Sequence, residues 1–256
     1  MEKFKILEAV AREFGINAEQ IVRYLYQEKH FDNVFLQKLL EDTQSLETKG
    51  LEDNVIVKLF WDTRIGKLRA ESSNLEVGMF YYAQDQIFAI KKIPGKKESG
   101  VLSYFDPYSG CGLITALHQK KLEWSSDRLV LDFPNHSFVR MGKMMTQLIL
   151  RKAQISRKSA EAAEYCADYH LDGICAGQAF LADRHETLAW CKCSLKINES
   201  LRQIEGADLL QNGYYFSSTE CLPNGVYVVN LANDKVETNP KNLEAFVRPS
   251  LEFVVV

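Results

Sequence analysis

The chain has no run of about 20 apolar residues, so it lacks a segment able to cross a bilayer as a helix. The N-terminal stretch MEKFKILEAVAREF lacks the unbroken apolar core of an export signal, because charges fall throughout it. A cytoplasmic location is the expectation. No sign of charge dominates: 31 Lys and Arg against 34 Asp and Glu leave a net charge of -3. That balance gives no overall pull toward nucleic acid or an anionic membrane. Histidine is scarce, with five residues at positions 30, 118, 136, 170 and 185, and none stands in a Ser-His or Cys-His pattern. The glycines at 95, 100, 110 and 112 do not have P-loop or dinucleotide-binding spacing.

Six cysteines are present, at 111, 166, 175, 191, 193 and 221. In a chain this long, without an export signal, they read as free buried thiols rather than disulfides. Cys191 and Cys193 form a C-x-C pair near His185, but no second pair at ligand spacing completes a metal site. Neither a metal nor a cofactor is expected.

What is there is an ordinary globular composition, 46% hydrophobic and 25% charged, in 256 residues. That is enough for one large domain or two modest ones. Residues 1–50 read as a small helical module, with apolar positions Phe4, Leu7, Val10 and Phe14 at helical spacing and a capping-box pattern at Asn17 and Gln20. Ala11, Gly15, Ile16 and Ile21 also suit a helix-turn-helix. However, the segment holds seven basic residues against nine acidic ones, which favours packing on a neighbour or on another subunit.

Residues 51–75 are read as a connecting strand region containing VIVKLFW, and residues 76–256 as one domain. GMFYYAQDQIFAI reads as two strands around Gln84-Asp85, and VLSYFDPYSGCGLITAL as strand, turn and strand. The stretches 92–100 and 117–145 read as loops. A helix over SAEAAEYCADYH buries Ala160, Ala163 and Tyr169. A second opens at Asp183, with Glu186 bonding back to the cap, and Asn198 is placed as the cap of a further short turn. YYFSST, GVYVVNLA and AFVRPSLEFVV read as strands, with Pro223-Asn224-Gly225 as a hairpin turn in which Asn-Gly tolerates positive φ.

From Cys111 onward the order of residues resembles a bacterial C-type-lectin-like domain of unknown function, related to the Fibrobacter succinogenes major paralogous domain. The resemblance rests on Gly112, Leu113, Ala116 and Trp124; on Ala162, Ala163 and Cys166; and on Leu181, Ala182, Asp183 and Glu186. It is sharpest at Tyr215, Phe216, Ser217, Ser218, Thr219 and Glu220, and at Val247, Arg248 and Pro249. Ala182 stands where that family has proline, and Phe216 where it has tryptophan. The resemblance covers roughly residues 75–256 and leaves out the N-terminal helices. It implies an α+β, C-type-lectin-like domain: two helices on short twisted antiparallel strands, the first and last paired, with long loops.

It also implies a check against two relatives' chemistries. The formylglycine-generating oxidases of that fold need a paired cysteine site near the C-terminal end, and only Cys221 lies there. Calcium-dependent lectins use Glu-Pro-Asn, where this chain has Leu222-Pro223-Asn224, so six to eight oxygen ligands do not assemble. Glu220, just before Cys221, is expected to raise the thiol pKa. The hydroxyls of Ser217, Ser218 and Thr219 and the carboxylate of Glu220 are read as structural, locking strand to loop.

The expected function is a non-enzymatic ligand- or protein-binding module, with a contact surface in residues 211–245. Tyr214, Tyr227, Asn233 and Asn239 are its candidate contacts, as rigid aromatics and adaptable amides. Asparagines at 212, 224, 230, 233, 239 and 242 are compatible with a diversified binder and equally with turns. The alternative is a DNA-associated regulator with an N-terminal helix-turn-helix, and an enzyme ranks third. The partner expectation is an unknown protein or small ligand, without membrane contact, and with self-assembly through the N-terminal helices.

Overall fold

The computed structural model describes residues 55–62, 67–70, 74–131 and 141–255, all within the compact unit that runs from residue 54 to the C-terminus. The expected helical module of residues 1–50, with its helix-turn-helix and self-assembly readings, lies outside the described residues.

The first sheet is built by antiparallel neighbours. β1 (Ile56–Asp62) pairs with β2 (Lys67–Ala70) on one side and with β4 (Ile87–Ala89) on the other. β4 pairs with β3 (Phe80–Tyr82), β3 with β5 (Gly100–Asp106), and β5 with β6 (Cys111–Ala116). Local chemistry makes these hairpins. At the β5–β6 turn, the Asp106 carboxylate accepts the Tyr108 N–H at 3.0 Å and the Ser109 hydroxyl at 2.6 Å, mimicking a backbone turn.

The C-terminal strand β13 (Pro249–Val255) closes the circle. It pairs antiparallel with β6 along one edge, and along the other pairs parallel with β2 through Phe253, Val254 and Val255. Seven strands thus form a closed barrel, β2-β1-β4-β3-β5-β6-β13. The free half of β13, at Pro249 and Ser250, takes the short β8 (Phe180–Leu181). Val57, Leu59, Phe88, Leu102, Ile114 and Phe253 form part of this core. Burying a side chain of that size stabilises by roughly 1.5–3 kcal/mol. Opposite Phe253 stands Gly112, where a Cβ would fall on the phenyl ring. The backbone here approaches an aromatic too closely for any other residue.

A second sheet has the order β11-β10-β9-β12-β7. It comprises β7 (Lys120–Leu122), β9 (Tyr214–Leu222), β10 (Gly225–Asn230), β11 (Lys235–Pro240) and β12 (Ala245–Val247). α1 (Gly142–Ser156) and α2 (Glu161–Ala167) join Trp124, Phe216, Val226, Val228 and Val247 in a second core. α3 (Arg184–Cys191) places Trp190 edge-on to Tyr215, 5.1 Å between ring centres, and α4 (Ser194–Leu201) follows it.

This architecture overturns the lectin-like, α+β expectation. The described residues hold thirteen strands and four short helices, organised as a closed barrel with a second sheet. The reason lies in residues 55–70, within the stretch 51–75 read from sequence as a connecting strand region outside the domain. They supply β1 and β2, and the latter offers β13 a free edge.

Several local readings also change. Residues 117–145, read as a loop, contain β7 and the start of α1. Asn198 lies inside α4 rather than capping it, and its amide brackets Leu210, donating to the carbonyl at 2.9 Å and accepting the N–H at 2.8 Å. The β9–β10 hairpin turns at Pro223-Asn224 without using positive φ at Asn224.

Candidate binding cleft

Asp183 opens α3 by accepting the N–H groups of His185 (2.7 Å) and Glu186 (2.8 Å), and Glu186 accepts the Asp183 N–H at 2.7 Å. This is a reciprocal capping box. The second Asp183 oxygen accepts the Met141 N–H at 2.8 Å, so one carboxylate fixes the starts of two helices. Both acids are buried. Burial raises the Glu186 carboxyl to about 8; the charge of Asp183 and then of Glu252 add to this, and the Asp183 and Gly142 amides oppose it. Near neutral pH Glu186 therefore holds a proton.

His185, Glu186 and Ala189 of α3 form one wall of a cleft of about 180 Å³. The barrel supplies the other: Tyr104 of β5, Cys111, Gly112 and Leu113 of β6, and Glu252, Phe253 and Val254 of β13. Glu252 also pairs with Lys143 at 3.4 Å. The result is an apolar slot with a protonated acid and an ion-paired carboxylate in its wall. Sequence pointed to Asp183 and Glu186 through the cap pattern and the resemblance; Glu252 carries no local signal, because only the tertiary fold sets β13 beside β6.

The signature residues serve packing and polar satisfaction. Tyr215 donates to Gln119 (3.0 Å) and accepts the Gln211 N–H (2.8 Å), while Phe216 lies in the second core. The Ser217 hydroxyl donates to the Tyr227 carbonyl at 2.8 Å and accepts the Thr219 N–H, and Trp124 donates to the Ser217 carbonyl at 3.0 Å. Thr219 Oγ1 accepts the Arg184 N–H at 3.2 Å. Ser218 Oγ is buried with no hydrogen-bond partner among the described residues.

Glu220 accepts the Leu131 N–H at 3.1 Å and forms a fully buried ion pair with Lys241. The Lys241 ammonium also donates to the carbonyls of Leu129 and Pro223 and stands 5.0 Å from the Trp124 ring centre. Burial pulls the Lys241 pKa down, and Glu220 opposes that shift. Lys241 was not singled out from sequence. The one available signal was that an acid inside a β-strand of the core needs a partner.

Arg248 is buried between the two sheets and donates to the Asp208 carbonyl at 2.9 Å. Desolvation lowers its pKa to about 10, while Tyr215 and Asp208 work in the opposite direction.

The four candidate contacts do not converge. Tyr214 is exposed at the start of β9 and donates to Glu237 at 3.3 Å. Tyr227 is half-buried under the Arg184 guanidinium, 4.8 Å from the ring centre. Asn233 sits in the β10–β11 turn, accepting the Lys235 N–H at 3.0 Å. Asn239 lies opposite Val226, at the far end of β11 from that turn.

All six cysteines are free. The Cys221 thiol is raised first by burial, with Glu220 adding and Lys241 opposing. Burial likewise raises Cys166, Cys191 and Cys193, so none of these four is a ready thiolate. A second, larger cleft of about 540 Å³ includes Lys92, Lys96 and Lys97. Glu98, Asp85 and Asp172 pair with these lysines in turn, so it presents no cationic face. Among the described residues, no helix is long and apolar enough to cross a membrane.

No protein-family model matches the chain, and no curated protein matches it. Among solved structures it is similar to a fimbrial protein from Bacteroides ovatus, with a TM-score of 0.58 at 13% identity. The likeness covers 69% of this chain and 48% of that one, so the match spans about half the length of the solved relative. At that identity it is a likeness of fold, and it agrees with the strand-rich architecture.

Proposed function

We propose that this chain is a non-enzymatic binding module that anchors one side chain of a protein partner in the cleft between α3 and the barrel. The observation that carries this reading is the cleft itself. At about 180 Å³ it suits a single side chain better than a drug-sized ligand. Tyr104, Leu113 and Phe253 offer an apolar stem contact, and the Glu186 and Glu252 carboxyls offer hydrogen bonds to a polar tip. Interfaces concentrate their energy in such anchors. Burial and the neighbouring Asp183 charge account for the raised Glu186 carboxyl, the capping box gives that residue a structural role, and the raised thiols argue against nucleophilic catalysis. We place the module in the cytoplasm, a reading supported by its six unpaired cysteines.

The test is a two-dimensional amide NMR titration with N-acetyl-lysine methylamide, with the norleucine and glutamate analogues alongside. Shifts confined to Cys111–Leu113, Ala189 and Phe253–Val254, strongest for lysine and abolished by Ala189→Phe, are expected. If none of the three probes moves these amides, or if Ala189→Phe leaves the shifts intact, the cleft is not the anchor.

A further inference from the structure

Helix α1 is apolar on two sides. Met145, Ile149 and Ala153 are buried in the second core. Met144, Leu148 and Ile155 are exposed, at 43%, 39% and 72%. With Arg151 they fall at i, i+4, i+7 and i+11, which aligns them along one outward face about 17 Å long. Every charged side chain from Gly142 to Lys158 is basic: Lys143, Arg151, Lys152, Arg157 and Lys158. Of these, Lys143 pairs with Glu252 and Lys158 donates to the Asp127 carbonyl at 3.0 Å, whereas Arg151 and Arg157 are exposed, a local positive charge in a chain of net charge -3. The acids near the end of the helix face backbone amides, Asp127 accepting from Ser159 and Glu161 from Ser126.

We propose that the outer face of α1 docks on an anionic lipid surface. Met144, Leu148 and Ile155 enter the interfacial layer, and Arg151 and Arg157 meet lipid phosphates. Charge complementarity sets the sign of the partner, since the helix carries no acid. A second copy of the chain is a poor occupant. Antiparallel pairing about the middle of the stripe sets Leu148 against Arg151 of the other copy, burying a guanidinium with no carboxylate on the helix to meet it. A protein groove is less suited too, because the stripe is convex and lacks the aromatic anchors that mark protein hot spots. Lipid needs no preformed groove, and a basic amphipathic helix lying in the interface is held by this combination of apolar and electrostatic contact.

The experiment is flotation of the full chain with vesicles of phosphatidylcholine alone and of phosphatidylcholine containing phosphatidylglycerol. Binding only to the anionic vesicles is expected, with loss at high salt. Arg151→Gln and Arg157→Gln each weaken partitioning about fivefold, the equivalent of about 1 kcal/mol per charge. Leu148→Ser and Ile155→Ser weaken it as well, with circular dichroism confirming that each variant remains folded. Absence from anionic vesicles, equal binding to neutral ones, or variants that bind like the parent would each overturn the proposal. So would binding to soluble polyglutamate without binding to vesicles, which would assign the face to an acidic protein.

Discussion

Replacing Lys241 by methionine keeps the stem and removes the ammonium. The consequences follow from its three acceptors. Glu220 is left buried with the Leu131 N–H as its remaining donor, and the carbonyls of Leu129 and Pro223 lose the donor they share. Breaking one side of a buried ion pair costs about 3–5 kcal/mol, because the other charge stays buried. Each orphaned carbonyl accounts for about 1–3 kcal/mol if no water reaches it. Costs within one shared network do not add in full, so a loss of about 4 kcal/mol at pH 7 is expected. Urea unfolding with an unchanged slope measures it. Lys241→Met combined with Glu220→Leu restores part of the stability, with a coupling of about 2 kcal/mol or more between the sites. A single-variant loss below about 1 kcal/mol, or additive effects in the double variant, would refute the reading of this pair as the fastener of the second sheet.

Three further outcomes follow from the cleft and the barrel. Because the Glu186 carboxyl is raised to about 8 from 4.5, folding takes up a proton there. Its contribution is full below about 4.5 and declines as pH rises through 8, by up to ~5 kcal/mol. Thermal melts from pH 5 to 9 should show that decline, and Glu186→Gln should flatten it. Asp183→Ala removes the acceptor for His185, Glu186 and Met141, with an expected cost of about 2 kcal/mol by urea unfolding. It should also bring the Glu186 pKa down, since the Asp183 charge helps raise it. Gly112→Ala puts a methyl group against Phe253 and should cost about 1–3 kcal/mol; an unchanged melting temperature would mean the β6–β13 contact is looser than described.

Much of the local structure was legible before the fold was known. The Asp183 cap was readable because its partners lie two and three residues away. The β5–β6 hairpin was readable because Asp106-Pro107 and Gly110 mark the turn in place. The buried face of α2 followed from spacing alone, and Ala160, Ala163 and Tyr169 are all buried. The surroundings of the candidate contacts were not legible in the same way. Tyr227 is covered by Arg184 from α3, and nothing in the 211–245 stretch announces that helix.

Sequence by itself determined the hairpins, the Asp183 cap and the buried face of α2, since each depends on residues within a few positions of one another. Tertiary structure decided the barrel, the cleft and the partner of Glu220. β2 meets β13 across some 185 residues, and Lys241 reaches back 21 residues to Glu220 and 112 to the Leu129 carbonyl. Strand closure is selected by the simultaneous satisfaction of distant edges, and no local pattern encodes that condition. A family-like string such as FSSTE can therefore occupy one strand of a quite different architecture, with its hydroxyls and acid satisfied by whatever the closed fold brings beside them.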